Sequence, residues 1–464
     1  MRHLGPASGL LLLAAAGCAT FHDQPLKPEQ TAAAFERRSL QDAGLLQFLA
    51  KQLQQPVSTN AAHVWSCNEL ALVALYYHPD LAVARAQWNV ARAGLRTAGE
   101  RPNPSLTLAP GYNTTTAEPT PWMPLVAFDI PIETAGKRSC REAQARYAAE
   151  AARLRLAATA WQVRSRVRSS FVALLAARAV EALLCEQQKL QLDYQRLLEK
   201  QLAAGGASAF DLSQAQLAAQ NAQLAWRDAQ RKIVEAHSHL AGALGMPVAA
   251  LCDIKLPAAF ADKLPEAPPA AELRRQALLR RADLLAALAE YAASQSALQL
   301  EIAKQYPDIH LGPGYQYDQG DNKWTLGLTL TLPLLNRNQG AIGEAEARRA
   351  EAAAKFVALQ ATVMAELDRA LAGLELAREK LATTTSLVTL SQGRERMAQA
   401  LLKAGEISQA ELLALRLPLA AAAVAQLDAE TQAQQALGAL EDALQNTTVT
   451  LSAHDQPPRP TPAP

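Results

Sequence analysis

This chain of 464 residues has almost no excess of charge of either sign. Lysine and arginine number 45, aspartate and glutamate 44, and the formal net charge is +1. Because nucleic-acid binding depends on a basic excess that neutralises phosphates, we expect no nucleic acid partner. Aromatic residues make up only 5% of the chain, although hydrophobic residues make up 50%. The apolar content is therefore mainly alanine and leucine, which favours long helices.

Long uninterrupted apolar runs are also missing from the sequence. None reaches the roughly 18 residues that a transmembrane helix needs, so we expect no α-helical membrane protein. Membrane β-strands alternate polar and apolar residues and produce no such run. The absence of long apolar runs therefore does not exclude a membrane β-barrel.

Catalytic and metal-binding motifs are scarce as well. The sequence contains no HExxH, GxSxG or P-loop motif, and its cysteines form no CxxC pair. We therefore expect no enzyme, no cofactor and no resident metal. His237 and His239 are two residues apart, a spacing that does not face one way on a helix. After Cys18, the four remaining cysteines leave open either one disulfide or scattered thiols.

The N-terminus has the pattern of a secretory signal. Arg2 precedes a short apolar stretch that ends in small residues directly before Cys18. The preceding Ala-Ala-Gly resembles a bacterial lipobox, which predicts cleavage after residue 17 and acylation of Cys18. The alternative is an ordinary signal peptide followed by a coincidental cysteine. Residues 1–17 are thus a predicted signal peptide, and residues 18–62 a predicted lipid-anchored segment.

Four sequence blocks occur twice in the same order, at offsets of 200 to 203 residues. The pairs are 103–112 with 306–315, 130–132 with 332–334, 142–146 with 344–348, and 204–212 with 404–412. This duplication predicts two repeats, over 63–250 and 271–446. A proline-rich linker at 251–270 joins them, and the proline-rich residues 447–464 are predicted to be disordered.

Each repeat contains two segments with the period of two that indicates β-strands. Apolar residues alternate from Trp324 to Leu332 in one of them, and from Val126 to Ile132 in another. Runs of about ten residues match a tilted membrane-spanning strand, and aromatic residues at their ends predict interfacial girdles. The predicted girdle residues are Tyr112, Trp122, Tyr315 and Trp324. Two soluble hairpins packed on helices are the alternative.

Four strands cannot close a membrane barrel, so the chain is expected to oligomerise. Two copies would provide about eight strands with a filled interior, and three would provide about twelve with room for a pore. Lys137 and Arg138 follow the first hairpin. Contact with lipid phosphates and simple solvation are the alternatives for this pair.

Long proline-free stretches follow each hairpin and predict long helices. No proline lies between Pro131 and Pro247, or between Pro333 and Pro418. A helix from residue 136 to 203 would extend roughly 100 Å, which suggests a coiled tube. Glycines interrupt each stretch, and a serine followed three residues later by an acid predicts a capping box at the next helix. These tip residues are Gly205, Gly206, Ser208 and Asp211, then Gly405, Ser408 and Glu411.

A duplicated helix–strand–strand–helix–helix unit with these blocks resembles the outer-membrane efflux protein (TolC) family over roughly Glu69 to Leu444. It is most similar to the heavy-metal (CzcC-like) lipoprotein branch. The resemblance implies a mainly α fold with a small β part: a homotrimer with a 12-stranded outer-membrane β-barrel and a long periplasmic coiled-coil tunnel. It implies a passive duct for metal ions or small toxic compounds, lipid-anchored in the bacterial outer membrane. The implied partners are outer-membrane lipid, a periplasmic adaptor protein and an inner-membrane RND-type pump.

The same resemblance places adaptor docking and gating at the helical tips. In the family an acidic residue just after the second turn lines the aperture; Glu411 holds that position, and Asp211 is its counterpart. Helix capping is the alternative for both carboxylates. Leu402 and Ile407 stand where better-known members carry a Tyr–Arg latch, so we expect the tip to close differently. Two other functions stay open: a type I secretion exit duct and a non-conducting, lipid-anchored coiled-coil envelope protein.

Overall fold

A computed structural model describes residues 19–55, 63–115, 120–252, 254–258, 260 and 269–446. Cys18, the predicted signal peptide, the tail at 447–464 and much of the predicted linker lie outside the described residues. The helices and strands, in chain order, are α1 (Pro28–Glu36), α2 (Ala43–Leu53), α3 (Cys67–Tyr77), α4 (Pro79–Gly99), β1 (Ser105–Tyr112), β2 (Trp122–Ile132), α5 (Lys137–Ala203), α6 (Ala209–Leu244), a 3-10 turn (Val248–Leu251), α7 (Ala270–Arg280), α8 (Ala282–Ala303), β3 (Ile309–Asp318), β4 (Asp321–Leu330), α9 (Gln339–Ala404) and α10 (Gln409–Leu444).

The predicted repeat unit is present twice, and each copy has one additional short helix. α4, β1, β2, α5 and α6 form the first unit, and α8, β3, β4, α9 and α10 form the second. The helix that opens each unit is broken, because α3 stops at His78 and α7 stops at Arg281. Both residues have extended backbone, with a ψ of 126° in each case. Pro79 explains the first break, since a residue before proline avoids the helical region.

The long helices form where the sequence has neither proline nor a glycine turn. α5 has 67 residues and α9 has 66, so each extends about 100 Å at 1.5 Å per residue. α6 and α10, of 36 residues each, fold back against them. A row of buried alanines on α6 allows close approach to α5. These are Ala215, Ala219, Ala222, Ala229 and Ala236.

The hydrophobic core consists of two clusters, one for each repeat, that use equivalent positions. The first contains Val163, Leu174, Leu240 and Leu244, and the second contains Val363, Leu374, Leu440 and Leu444. All eight side chains are at most 2% exposed. Leu45 and Leu49 of α2 join the first cluster only. The segment before the first repeat therefore packs onto that repeat.

The four strands form one antiparallel sheet in the order β1-β2-β3-β4. β2 of the first repeat pairs with β3 of the second, with Ile130 opposite Leu311. The sheet therefore joins the repeats, and it leaves β1 and β4 as edge strands. β4 ends at Leu330, two residues before the predicted end at Leu332. The prediction of a mainly α fold with a small β part is confirmed.

One expectation about apolar segments needs correction. Among the described helices, α10 contains an 18-residue stretch that is long and apolar enough to cross a membrane, and 17% of that stretch is buried. The stretch is not an uninterrupted apolar run, because isolated charged residues such as Arg416 lie within the helix. α10 nevertheless packs along α9 and α5.

Candidate functional site

The four-stranded sheet has one apolar face that no described helix covers. Residues opposite each other in register share a face, and Leu311 lies opposite both Ile130 and Leu328. On β4, Leu326 is 76% exposed and Leu328 is 69% exposed. The strands contact one another, and no described helix packs against the sheet. An uncovered apolar surface of this kind is an interaction surface.

The opposite face of the sheet consists mainly of small and polar residues, with Met123 and Leu125 as the large apolar ones. Gly314 lies opposite Thr325, and His310 lies opposite Thr329. A Cβ atom on Gly314 would lie only 2.8 Å from the Thr325 hydroxyl, so glycine permits this close approach. His310 contacts Asp129 of the neighbouring strand β2. One face of the sheet is thus suited to contact with lipid and the other to contact with water.

The four predicted girdle residues form two ring contacts. Tyr112 and Trp122 lie opposite each other with ring centroids 5.0 Å apart, and Tyr315 and Trp324 are 4.9 Å apart. The first pair adjoins the β1–β2 loop, and the second lies near the β3–β4 turn. Tyr306, which precedes β3, is at the other end of the sheet and 60% exposed. The four predicted girdle residues therefore lie at one end of the sheet, and Tyr306 lies beyond its other end.

An ion pair connects the sheet to the long helices. Lys137, the first residue of α5, is 7% exposed, and its Nζ atom lies 2.7 Å from Oδ1 of Asp308. The same oxygen accepts a bond from the Thr134 backbone N–H at 3.0 Å. Lys137 is therefore neither solvated nor free to meet lipid phosphates, and Arg138 pairs with Glu142 at 2.9 Å. The sequence offered no signal for a partner 171 residues away.

Both predicted capping boxes are present at the helical tips. The Ser208 Oγ atom accepts a bond from the Asp211 N–H at 3.0 Å, and Ser408 does the same for Glu411 at 3.3 Å. In return, Asp211 accepts from the Ser208 N–H at 3.3 Å, and Glu411 accepts from the Ser408 N–H at 2.7 Å. These bonds from Ser408 lower the pKa of Glu411. Each carboxylate caps its own helix while remaining exposed.

Left-handed glycines reverse the chain before each capping box. Gly205 has a φ of +77° and Gly405 a φ of +76°, a region that favours glycine. Gly206 follows in the first turn, and its N–H donates to a carbonyl of α5 at 2.7 Å. The second tip has a contact that sequence reasoning missed: Arg416 donates to Glu395 at 2.9 Å and links α10 to α9.

A buried ion cluster lies between the two repeats. Glu441 of α10 is 3% exposed, and its Oε2 atom lies 3.5 Å from Arg164 and 3.3 Å from Arg168 of α5. Burial raises the pKa of Glu441, while the two arginines oppose that effect. Asp442 accepts a bond from the Trp161 indole at 3.0 Å. Because buried charges need such partners, the cluster specifies how α10 sits on α5.

Of the close histidine pair, His237 contacts the neighbouring helix α5. His237 Nε2 lies 2.8 Å from a guanidinium nitrogen of Arg178, and burial lowers the pKa of His237, with Arg178 adding to the effect. His239, two residues further along α6, is exposed. Across the described ranges, no cluster of three His, Cys, Asp or Glu residues could enclose a metal ion.

This duplicated fold belongs to a class of envelope channels that combine long helical hairpins with a small exposed sheet. The family model for outer membrane efflux protein matches residues 71–246 and 273–446, so the chain belongs to that family. The predicted resemblance is therefore confirmed.

Among its relatives is the cobalt-zinc-cadmium resistance protein CzcC of Cupriavidus metallidurans. It is 27% identical over 312 residues, which cover 67% of this chain and 72% of CzcC. The outer membrane protein VceC of Vibrio cholerae has a similar structure, with a TM-score of 0.67 and 21% identity over 82% of this chain and 96% of VceC. CusC gives a TM-score of 0.65 and 20% identity over 84% of this chain and 96% of CusC. These two structures show the same fold.

Proposed function

We propose that this chain is the passive outer-membrane exit duct of a tripartite efflux system, and that three copies form one channel. The observation that carries the proposal is the uncovered apolar face of the sheet, at the opposite end of α5 and α9 from the tips. Such a face suits lipid and is costly in water. The edge strands β1 and β4 also need partners. Pairing β4 of one copy with β1 of the next would close a barrel of about twelve strands.

Exposed apolar rows on the long helices support the same assembly. Phe210, Leu217 and Leu224 lie seven residues apart on α6 and are 64% to 68% exposed. Leu390 and Met397 on α9 have the same spacing and are 66% and 68% exposed. A spacing of seven places side chains on one face of a coiled coil. Copies packed side by side would bury these rows around a tunnel about 100 Å long.

The cargo we propose is divalent metal ions. Support comes from the 27% identity to CzcC, whose name refers to cobalt, zinc and cadmium resistance. The two tip turns, at 205–208 and 405–408, would dock a periplasmic adaptor, and an inner-membrane RND-type pump would supply the energy. Three copies of Glu411, with Asp211 nearby, would place negative charge at the aperture and favour cations.

The proposal includes a lipid anchor at Cys18 after removal of residues 1–17. Residues 19–27 are exposed and contain no helix or strand, with Phe21 90% and Leu26 89% exposed. An acyl chain on the preceding residue could therefore reach the outer membrane without disturbing the repeats. We assign the repeats to 63–250 and 271–446, with the linker at 251–270.

The test places one lysine on each face of β4, at adjacent positions. Leu326→Lys would put a charge on the proposed lipid face, at a cost of roughly 2–4 kcal/mol near the bilayer centre. Thr325→Lys, on the polar face and opposite Gly314, is the matched control. Each variant is expressed in a strain lacking the chain, and the outer-membrane fraction and growth in graded Zn²⁺, Co²⁺ and Cd²⁺ are measured.

We expect Thr325→Lys to reach the membrane and restore metal tolerance, and Leu326→Lys to fail in both. Purified wild-type protein should also conduct ions across a planar bilayer. Equal behaviour of the two variants, or a wild type that never conducts, would overturn the proposed duct. Rescue of drug tolerance alone, or of protein secretion alone, would overturn the metal cargo.

A further inference from the structure

We propose that His310 is a binding residue for divalent transition-metal ions on the polar face of the sheet, with its Nε2 atom as the ligand. The inference rests on the proposed duct and adds a place inside it where the cargo makes contact.

The contact between His310 and Asp129 determines which ring nitrogen is free. The His310 Nδ1 atom lies 3.0 and 3.1 Å from the two carboxylate oxygens of Asp129. An ionised carboxylate only accepts hydrogen bonds, so Nδ1 carries the proton and donates it. In the neutral ring the lone pair then lies on Nε2. Metal-ligating histidines commonly have this arrangement, because the carboxylate orients the ring and makes the other nitrogen more basic.

The surroundings of His310 leave Nε2 accessible. The His310 side chain is 36% exposed and that of Asp129 is 48% exposed. Gly312, the next residue on the same face of β3, has no side chain to cover the ring. In the part of the chain that the structure describes, the hydrogen bonds of the ring involve Nδ1 alone. The nearby Asp308 already pairs with Lys137 at 2.7 Å, so it does not compete for the ring.

The chemistry of a single imidazole specifies the kind of ion and the strength of binding. Imidazole nitrogen suits Zn²⁺ and Co²⁺, whereas Mg²⁺ prefers oxygen ligands. One protein ligand completed by water gives a weak site. Weak binding is what a conducting pathway needs, because an ion must leave as readily as it enters. With the apolar face against lipid, the three His310 rings of a trimer would line the lumen.

The test measures Zn²⁺ binding to the purified full-length protein in detergent, without a polyhistidine tag, by isothermal titration. We expect His310→Gln to remove one weak site per chain. Asp129→Asn should weaken that site by about tenfold or more, as loss of an orienting carboxylate does. His239→Gln, the same change at an exposed histidine on α6, is the control and should bind as the wild type does. Mg²⁺ should show no difference among the four proteins.

Unchanged Zn²⁺ binding in His310→Gln would overturn the inference. Planar-bilayer currents, measured on the same proteins in KCl, test the duct separately. Normal currents with no His310-dependent Zn²⁺ binding would refute the metal site and leave the duct intact. His310-dependent binding in a protein that conducts nothing would refute the duct and support the site. Matching circular dichroism spectra and matching currents of wild type and His310→Gln exclude misfolding as the cause of lost binding.

Discussion

Removing the carboxylate of Asp308 should weaken the ion-pair contact between the sheet and the long helices. Asp308 precedes β3 of the second repeat, and its partner Lys137 begins α5 of the first repeat. Asp308→Asn keeps an oxygen that can accept the Thr134 N–H bond. The substitution removes the negative charge, however, and leaves the ammonium group of Lys137 buried without a counter-charge.

The size of the effect follows from burial. Breaking a fully buried ion pair by removing one partner costs about 3–5 kcal/mol. The Lys137 side chain is 9% exposed, but that of Asp308 is 34% exposed, so water already screens part of the interaction. We therefore expect Asp308→Asn to lower the free energy of unfolding by about 2 kcal/mol. Lys137→Met should cost less, because the carboxylate it leaves behind keeps the Thr134 bond and remains partly in water.

A double-mutant cycle measures the coupling directly. Urea unfolding of the purified full chain is followed by circular dichroism and by tryptophan fluorescence, and coincident transitions justify comparing free energies. The double variant with Lys137→Met and Asp308→Asn should be more stable than Asp308→Asn alone, because no charge is then buried without a partner. We expect a coupling energy of about 1–2 kcal/mol. A double variant no more stable than Asp308→Asn would refute the reasoning.

Two further predictions concern the core and the interface between repeats. Leu240→Ala and Leu440→Ala should each lower the free energy of unfolding by about 3–5 kcal/mol. Both leucines are at most 1% exposed and occupy equivalent positions in the two core clusters. Urea unfolding midpoints that change little for either variant would contradict the presence of two equivalent cores. The folded-state pKa of Glu441 is raised above its ordinary 4.5, so its contribution to stability is complete below that pH and is lost as pH rises through the folded-state pKa. Wild type should therefore lose stability relative to Glu441→Gln as the pH rises above 4.5 in urea titrations, and the opposite slope would contradict this.

Sequence reasoning succeeded where the controlling interactions are local. The capping boxes at Ser208 and Ser408 involve residues only three positions apart, so their pattern is visible in the chain itself. Strand alternation likewise follows from the geometry of a single strand. Because the sequence is duplicated, each of these local patterns occurs in both repeats.

The same reasoning failed where partners are distant in the chain. The break at Arg281 has no proline to mark it; the Arg281 guanidinium instead binds Asp283 at 2.7 Å and Glu366 at 3.0 Å. From the sequence, Lys137 was expected either to be solvated or to contact lipid phosphates. In the structure it forms an ion pair with Asp308. The roles of Glu411 and Asp211 at an aperture stay predictions, since each bonds within its own cap in the single chain.

The sequence by itself determined the repeat, the long helices, the tip turns and the alternation of the strands, because each depends on backbone preferences over a few residues. Only the tertiary structure decided that β2 of one repeat pairs with β3 of the other, that Glu441 lies between two arginines, and that Asp129 orients His310. These contacts join residues from 177 to 277 positions apart. The free energy of such contacts depends on burial and geometry that exist only after the chain has folded.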